Sequence, residues 1–410
     1  MKRKQVQYSA ACHSIKDNDH GGGFQWSGRR KGPCQGDELT SAIAERTYAA
    51  ADGNSHLEAA QACIVGVGVA NPATSYSQNE LIDLLHITDE RIRSLFLKGA
   101  IERRYLTLPP AHGDGRRYPE SQAALLEKHR RFAIDMGARA LHECLDGIGA
   151  ELGDVSYLCC VTSTGFLVPG VSAHLIKALG LSAACTRLDV VGMGCNAGLN
   201  GLNATTSWSQ ANPGKLAILL CVEVCSAAYV FDDTMRSSVV NSLFGDGAAA
   251  AAIVTRSTSE GGRLGPTVLR FQSRLISSAI DGMRFDWDEG HGRFSFYLDP
   301  MVPYVVGANA PPLVDDLLKS AGLRRSAIRH WLVHSGGKKV IDAIKVNLGL
   351  SSSDLRYTSG VLRDYGNLSS GSFLFSYKRL VEEQSARPGD YGIMMTMGPG
   401  ATIESALLRW

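Results

Sequence analysis

The stretch Leu188-Asp189-Val190-Val191-Gly192-Met193-Gly194-Cys195-Asn196-Ala197-Gly198-Leu199-Asn200 reads as an apolar strand that ends in glycines and hands a cysteine to the start of a small-residue helix. Glycine on either side lets a substrate come close to the sulfur. The positive end of a helix dipole favours thiolate, as does a cationic partner, and thiolate is the reactive form. Cys195 is therefore read as a nucleophile. Cys159, Cys160, Cys185, Cys221 and Cys225 lie in apolar strands or at their ends and read as packed core residues. The ten cysteines form no C-x-x-C pair and no ligand-spaced cluster, so no metal site is expected.

Working outward, similar apolar runs occur at Ala62 to Gly68, Tyr157 to Thr162, Leu216 to Val224 and Ala248 to Val254, with helical stretches such as Glu120 to Leu145 between them. Asn71-Pro72 ends the first run, and Ser77 caps a helix carrying Leu81, Ile82 and Leu85. This alternation predicts an α/β fold with largely buried strands. Past Gly261 it recurs: strands near Thr267 to Phe271, Phe294 to Leu298 and Trp331 to His334, helices near Val305 to Leu318 and Lys338 to Leu348, then strands at Tyr391 to Met397 and Thr402 to Leu408. The second half repeats the element order of the first, which predicts a duplicated core with halves at 61–260 and 261–410. Residues 1–60, rich in Gly, Ser, Asp and basic residues, read as an extension whose Phe24 and Trp26 could dock on a neighbouring subunit.

The 410 residues leave room for such a duplication, and 44% hydrophobic with 20% charged residues excludes a disordered, collagenous or coiled-coil chain. A formal net charge of +2 gives no footprint for nucleic acid or an anionic membrane. Apolar runs fall far short of the roughly 20 residues of a membrane-spanning helix, and the basic start leads into no apolar stretch, so a cytoplasmic protein is expected.

A nucleophilic cysteine needs a proton acceptor, and donors for charge that develops on the substrate carbonyl. In Trp331-Leu332-Val333-His334-Ser335-Gly336-Gly337-Lys338-Lys339 a histidine ends an apolar strand ahead of a glycine pair that opens a helix. Asp364-Tyr365-Gly366-Asn367-Leu368-Ser369-Ser370-Gly371 sets an amide in a glycine-bounded loop before another helix. A lone histidine is usually structural and a lone Gly-Asn usually a turn. Three junctions bearing Cys195, His334 and Asn367 point to one catalytic set. Asp246 and Glu223 are read instead as acids that hold backbone by hydrogen bonds.

Gly194-Cys195-Asn196-Ala197-Gly198, Leu243-Phe244-Gly245-Asp246-Gly247-Ala248-Ala249, His334-Ser335-Gly336-Gly337, Tyr365-Gly366-Asn367-Leu368-Ser369-Ser370 and Met397-Gly398-Pro399-Gly400 resemble, in order, the motifs of the type III polyketide synthases, the chalcone and stilbene synthases. The intervals of 139 residues (334 − 195) and 33 residues (367 − 334) fit that family as well. The resemblance runs from about Ala62 to the C-terminus and implies a thiolase-like duplicated αβαβα layered fold and a homodimer. It implies that Cys195 takes an acyl group from a CoA thioester, while His334 and Asn367 stabilise the enolate formed when malonyl-CoA loses carbon dioxide. Malonyl-CoA is the implied substrate, another acyl-CoA starter is left open, and neither metal nor redox cofactor is implied.

The same resemblance marks Phe244 and Phe296 as gatekeeping aromatics, with Met397 and Gly398 at the substrate. It places CoA phosphates near Arg91 and Lys98, with Arg93 as a substitute for a basic position taken by Ser94, and Lys339 beside Lys338 at the tunnel mouth. Asn196 stands where plant members carry an aromatic residue, which argues against a bulky phenylpropanoid starter. Asp189 to Leu202, Cys225 to Tyr229 and Leu362 to Phe375 resemble a bacterial branch that serves glycopeptide-antibiotic pathways and builds a C8 aromatic acyl-CoA from four malonyl-CoA units. Three rivals remain. A ketoacyl synthase III or hydroxymethylglutaryl-CoA synthase shares the Cys-His pair, but the former carries His-Gln-Ala-Asn where this chain has His334-Ser335-Gly336-Gly337. A cysteine hydrolase would use Cys, His and Asn to cleave amides. A silent assembly subunit need not keep the three residues together.

Overall fold

Most strands of this protein are apolar on both faces because helices cover both, and the alternation of side chains along each strand decides which layer receives them. The computed structural model describes residues 61–113, 117–256 and 265–410, so Phe24, Trp26 and the extension expected over 1–60 lie outside the described residues.

In the first half the strands are β1 (Gln61–Ala70), β2 (Ser75–Ser77), β3 (Arg103–Tyr105), β4 (Val155–Thr162), β5 (Thr186–Val191), β6 (Leu216–Glu223) and β7 (Gly247–Arg256). Its helices are α1 (Gln78–Leu84), α2 (Glu90–Leu97), α3 (Gln122–Asp146), α4 (Val171–Leu179), α5 (Ala197–Ala211) and α6 (Met235–Asn241). The second half has β8 (Thr267–Leu275), β9 (Met283–Asp288), β10 (Arg293–Leu298), β11 (Ile328–Val333), β12 (Tyr391–Gly398) and β13 (Thr402–Arg409), with α7 (Val302–Lys319), α8 (Lys338–Leu348), α9 (Arg356–Tyr365) and α10 (Ser372–Glu382). Ser77 caps α1 as the sequence predicts, in a capping box with Glu80.

One nine-stranded sheet runs in the order β11-β12-β13-β8-β1-β7-β6-β4-β5. Outward from the seam at Cys63 and Thr267, where β1 meets β8, the two sides match. On one side β1–β7 and β7–β6 are antiparallel and β6–β4 parallel; on the other β8–β13 and β13–β12 are antiparallel and β12–β11 parallel. The duplication predicted from element order is thus present in the pairing pattern.

Three apolar cores show the layering. Ala249, Ala251 and Ile253 of β7 join Met394 of β12 and Ala406 of β13 around the central helices α5 and α10. Ala248, Ala250, Ala252 and Val254 face the other way, onto α3 and α4. In the second half Ile393, Met395, Ile403 and Leu407 face α7 and α8. The order is helix, sheet, helix, sheet, helix, the αβαβα arrangement. A β-carbon on Gly68 would overlap the backbone of Ala140 and Cys144, so α3 lies directly on β1.

One expectation is corrected. Leu188 to Val191 is not a buried strand: β5 ends at Val191, pairs only with β4 at the sheet edge, and leaves Leu188 37% and Val191 39% exposed. The strand expected near Phe294 to Leu298 is present as β10, which pairs with β9 in a separate hairpin that puts Met283, Phe285 and Trp287 on one face with Phe294, Phe296 and Leu298. The close approach at Gly68 yields a prediction. Gly68→Ala lowers stability by at least about 2 kcal/mol in urea unfolding, whereas Gly153→Ala, which meets nothing within 4 Å, stays within about 0.5 kcal/mol of the parent.

Candidate active site

Strand β5 stops at Val191, and Gly192 and Gly194 then take φ of +83° and +74°, a region closed to most side chains. A short turn over Gly194–Asn196 leads straight into α5 and holds Cys195 at the end of the helix. A β-carbon on Gly194 would overlap Pro399. One on Gly398 would stand 2.7 Å from the Asn196 nitrogen and 3.0 Å from that of Cys195. The Met397–Gly400 motif therefore packs on the nucleophile's own turn.

His334 follows β11, where its N–H extends the parallel ladder to the Met395 carbonyl at 2.8 Å. Gly337, at φ +133°, then opens α8. Asn367 follows α9 and Gly366, and its backbone bridges to the Phe244 segment: Asn367 N–H donates to Leu243 O at 2.8 Å, and Gly245 N–H to Asn367 O at 3.0 Å. Its carboxamide is held at both ends. Oδ1 accepts from Ser369 N–H at 2.8 Å, and Nδ2 donates to Gly336 O at 3.4 Å, two residues past His334.

Cys195, His334 and Asn367 line one cavity of about 1220 Å³ together with Phe244, Phe296 and Met397. The Phe244 and Phe296 rings meet edge to face with centroids 6.5 Å apart. Lys98, Lys338 and Lys339 line the same cavity with exposed side chains. Lys338 is engaged by Asp342, whereas Lys98 and Lys339 have no ion pair among the described residues. Arg91 and Arg93 stand on α2 outside the cavity; Arg91 pairs with Asp89, and Arg93 bonds the Ile87 carbonyl and lies near Glu90. Gly398 does not line the cavity either, since it is pressed against the Cys195 turn.

Burial pushes the Cys195 thiol up to about 12, although its hydrogen bond to Ser369 Oγ at 3.5 Å opposes the shift. Burial also pulls His334 down to about 3, and its Nδ1 has no partner among the described residues. The sequence predicts a thiolate favoured by the helix end, whereas burial acts against charge on both the thiol and the imidazole.

Ser369 is a site residue that sequence reasoning missed. It takes φ +48°, uncommon outside glycine, and carries its hydroxyl to a sulfur 174 positions away in the chain. Its motif was legible and its contact was not. Glu223 accepts from Ser163 N–H and from the Ser370 hydroxyl, and Asp246 from the N–H groups of Ser226 and Thr107. Burial raises both carboxyls, and both hold backbone.

Cys195, His334 and Asn367 thus share one cavity on a duplicated αβαβα frame, an arrangement that suits a condensing enzyme. Residues 51–257 match the N-terminal domain and residues 288–410 the C-terminal domain of chalcone and stilbene synthases, and the chain belongs to that family of polyketide synthases, which are acyltransferases. It is 63% identical over 353 residues, 85% of this chain and 90% of the relative, to a 3,5-dihydroxyphenylacetyl-CoA synthase of Streptomyces toyocaensis. Among solved structures, PKS-I of the brown alga Ectocarpus siliculosus is similar at TM-score 0.79 and 28% identity, over 87% of this chain and 100% of that one. The type III polyketide synthase 1,3,6,8-tetrahydroxynaphthalene synthase of Streptomyces coelicolor is similar at TM-score 0.76 and 26% identity, over 85% and 99%.

The raised thiol sets a pH dependence. Below about 12 the thiolate is the minor form, so its fraction rises with pH. Iodoacetamide labelling of Cys195, followed by peptide mass spectrometry, rises about tenfold per pH unit from pH 7 to 10. A plateau below pH 9 contradicts a desolvated neutral thiol.

Proposed function

We propose that this chain condenses malonyl-CoA into 3,5-dihydroxyphenylacetyl-CoA or its acid, with Cys195 as nucleophile and His334 and Asn367 as its partners. The observation that carries the reading is the meeting of these three residues in one large, mainly apolar cavity, in a chain 63% identical to a synthase of that product. As the Cys195 sulfur attacks an acyl-CoA thioester it gives its proton to His334, which returns it to the departing CoA sulfur. The thioester carbonyl of a further malonyl-CoA then takes hydrogen bonds from His334 and Asn367 N–H groups. These stabilise the enolate left by decarboxylation. Its carbon attacks the acyl group, forming a carbon–carbon bond as the Cys195 sulfur leaves. The product skeleton has six ring carbons and two side-chain carbons, which four two-carbon units supply. These steps use CoA thioesters as substrates and call on no metal or redox cofactor.

Cations without an ion pair among the described residues suit an anionic tail, and the position of Lys98 and Lys339 on the cavity wall supports assigning them to CoA phosphates. Arg91 and Arg93 would meet such a tail only on the surface of α2. Another acyl-CoA starter leading to a resorcinol or pyrone is the second reading, since the cavity admits more than an acetyl group. We also propose a homodimer joined at the β5 edge. Edge strands invite pairing, and this one lies beside Phe166 and Val168, 70% and 82% exposed. No described helix is long and apolar enough to cross a membrane, and we propose that the enzyme works in the cytoplasm.

Mass spectrometry of products from malonyl-CoA, alone and with added starters and no carrier protein, tests the assignment. The C8 phenolic product is expected from malonyl-CoA alone, and Cys195→Ala abolishes it. A requirement for carrier protein points to a ketoacyl synthase III-type enzyme. Lys98→Ala and Lys339→Ala each raise KM for malonyl-CoA about fivefold with kcat little changed. Equilibrium sedimentation gives about 88 kDa, twice 44.0 kDa. A 44.0 kDa species alone overturns the dimer.

A further inference from the structure

Tyr229, in the turn after β6, lines the cavity that holds Cys195 and also a second cavity of about 430 Å³ that includes Leu106, Leu108 and Phe231. Its ring stacks on Phe244 with centroids 4.0 Å apart and meets Phe296 edge-on at 5.3 Å. Its backbone is pinned: N–H donates to Cys225 O at 2.9 Å, and the carbonyl accepts from Asn241 Nδ2 at 2.8 Å. The ring is therefore a fixed wall between the two spaces.

The Tyr229 hydroxyl makes no hydrogen bond among the described residues, and it is not among the polar atoms sealed in the core without a partner. It therefore opens onto the space that its side chain lines, Cys195 being one of the groups near it. Buried phenols normally find a partner, so this vacant valence on a side chain only 4% exposed needs an occupant. On the same wall Ser163 Oγ is sealed away without a partner among the described residues, and two further hydroxyls are committed. Ser242 Oγ donates to Val239 O, and Thr164 Oγ1 accepts from Val224 N–H. Burial holds the Tyr229 phenol far above its usual range, and the nearby Cys195 thiol adds to the effect, so the group remains an O–H donor.

We propose that Tyr229 is a specificity-determining residue whose hydroxyl donates a hydrogen bond to a ketone of the poly-β-keto chain held on Cys195, and so favours carbon–carbon ring closure over lactone formation. The inference rests on the polyketide reading of the site. A ketone held by a donor is the better electrophile. A chain carbon that loses its proton attacks it, the ketone oxygen becomes a hydroxyl by gaining one proton, and loss of one water leaves the ring unsaturated. In the competing path an enol oxygen attacks the Cys195 thioester carbonyl, a C–O bond forms, the enol proton is released and the sulfur leaves. That path needs no donor at the distant ketone.

The test is Tyr229→Phe, which keeps the ring and removes the hydroxyl. Products from malonyl-CoA are separated by liquid chromatography and mass spectrometry, and the ratio of phenolic to lactone product is read, a quantity independent of how much variant folds. The expected result is a fall of at least about tenfold, equivalent to ~1.4 kcal/mol in the partition. A ratio within about twofold of the parent overturns the proposal. It is equally overturned if Tyr229→Phe is silent while Tyr229→Ala, which opens the wall to the second cavity, changes the ratio, because packing alone then explains the residue. If the unaltered enzyme makes no phenolic product from malonyl-CoA, the product assignment fails. The hydroxyl's role is then read on the ring-closed to lactone ratio with whichever acyl-CoA starter turns over.

Discussion

The site depends on one close contact between segments two hundred residues apart: the turn carrying Cys195 lies against the Met397–Gly400 segment. A side chain on Gly398 would overlap the Asn196 side chain and crowd the Cys195 nitrogen, and one on Gly194 would overlap Pro399. Two glycines thus let an N-terminal turn and a C-terminal strand end share one space. The Thr396 hydroxyl donates to Asn196 O at 3.4 Å and ties the same junction. Cys195 is positioned by the second half of the chain as much as by its own helix.

That junction lies at the central layer, where α5 and α10 pack between the half-sheets. Segments of both halves meet there. β5 delivers Cys195, β11 delivers His334, and the loop after α9 delivers Asn367. Burial there is what makes the chemistry conditional. Burial holds the thiol up to about 12 and the imidazole down to about 3, so removal from water opposes charge on both groups. The wall is mainly apolar, with Phe244, Phe296 and Met397 beside the polar groups of Tyr229, Asn367 and His334.

Much of this was legible beforehand, for local reasons. The strand runs of β4, β6, β7, β12 and β13 stand near their predicted bounds because both-face burial makes them continuously apolar. β5 misled, since an apolar edge strand has the same composition as a central one. Aromatic alternation marked β10 as a strand and did not say which sheet it joins. The basic residues of α2 divided: Lys98 reaches the cavity, while Arg91 is engaged by Asp89 two positions before it.

By itself the sequence determined the order of strands and helices, the three junctions that bear Cys195, His334 and Asn367, and the family, because periodicity, glycine punctuation and motif spacing are properties of short stretches. Only the tertiary structure decided that Ser369 touches the sulfur, that Gly398 packs on the Cys195 turn, and that burial opposes charge on the thiol and the imidazole. Desolvation and close packing are sums over atoms contributed by remote segments, and no local pattern carries that sum.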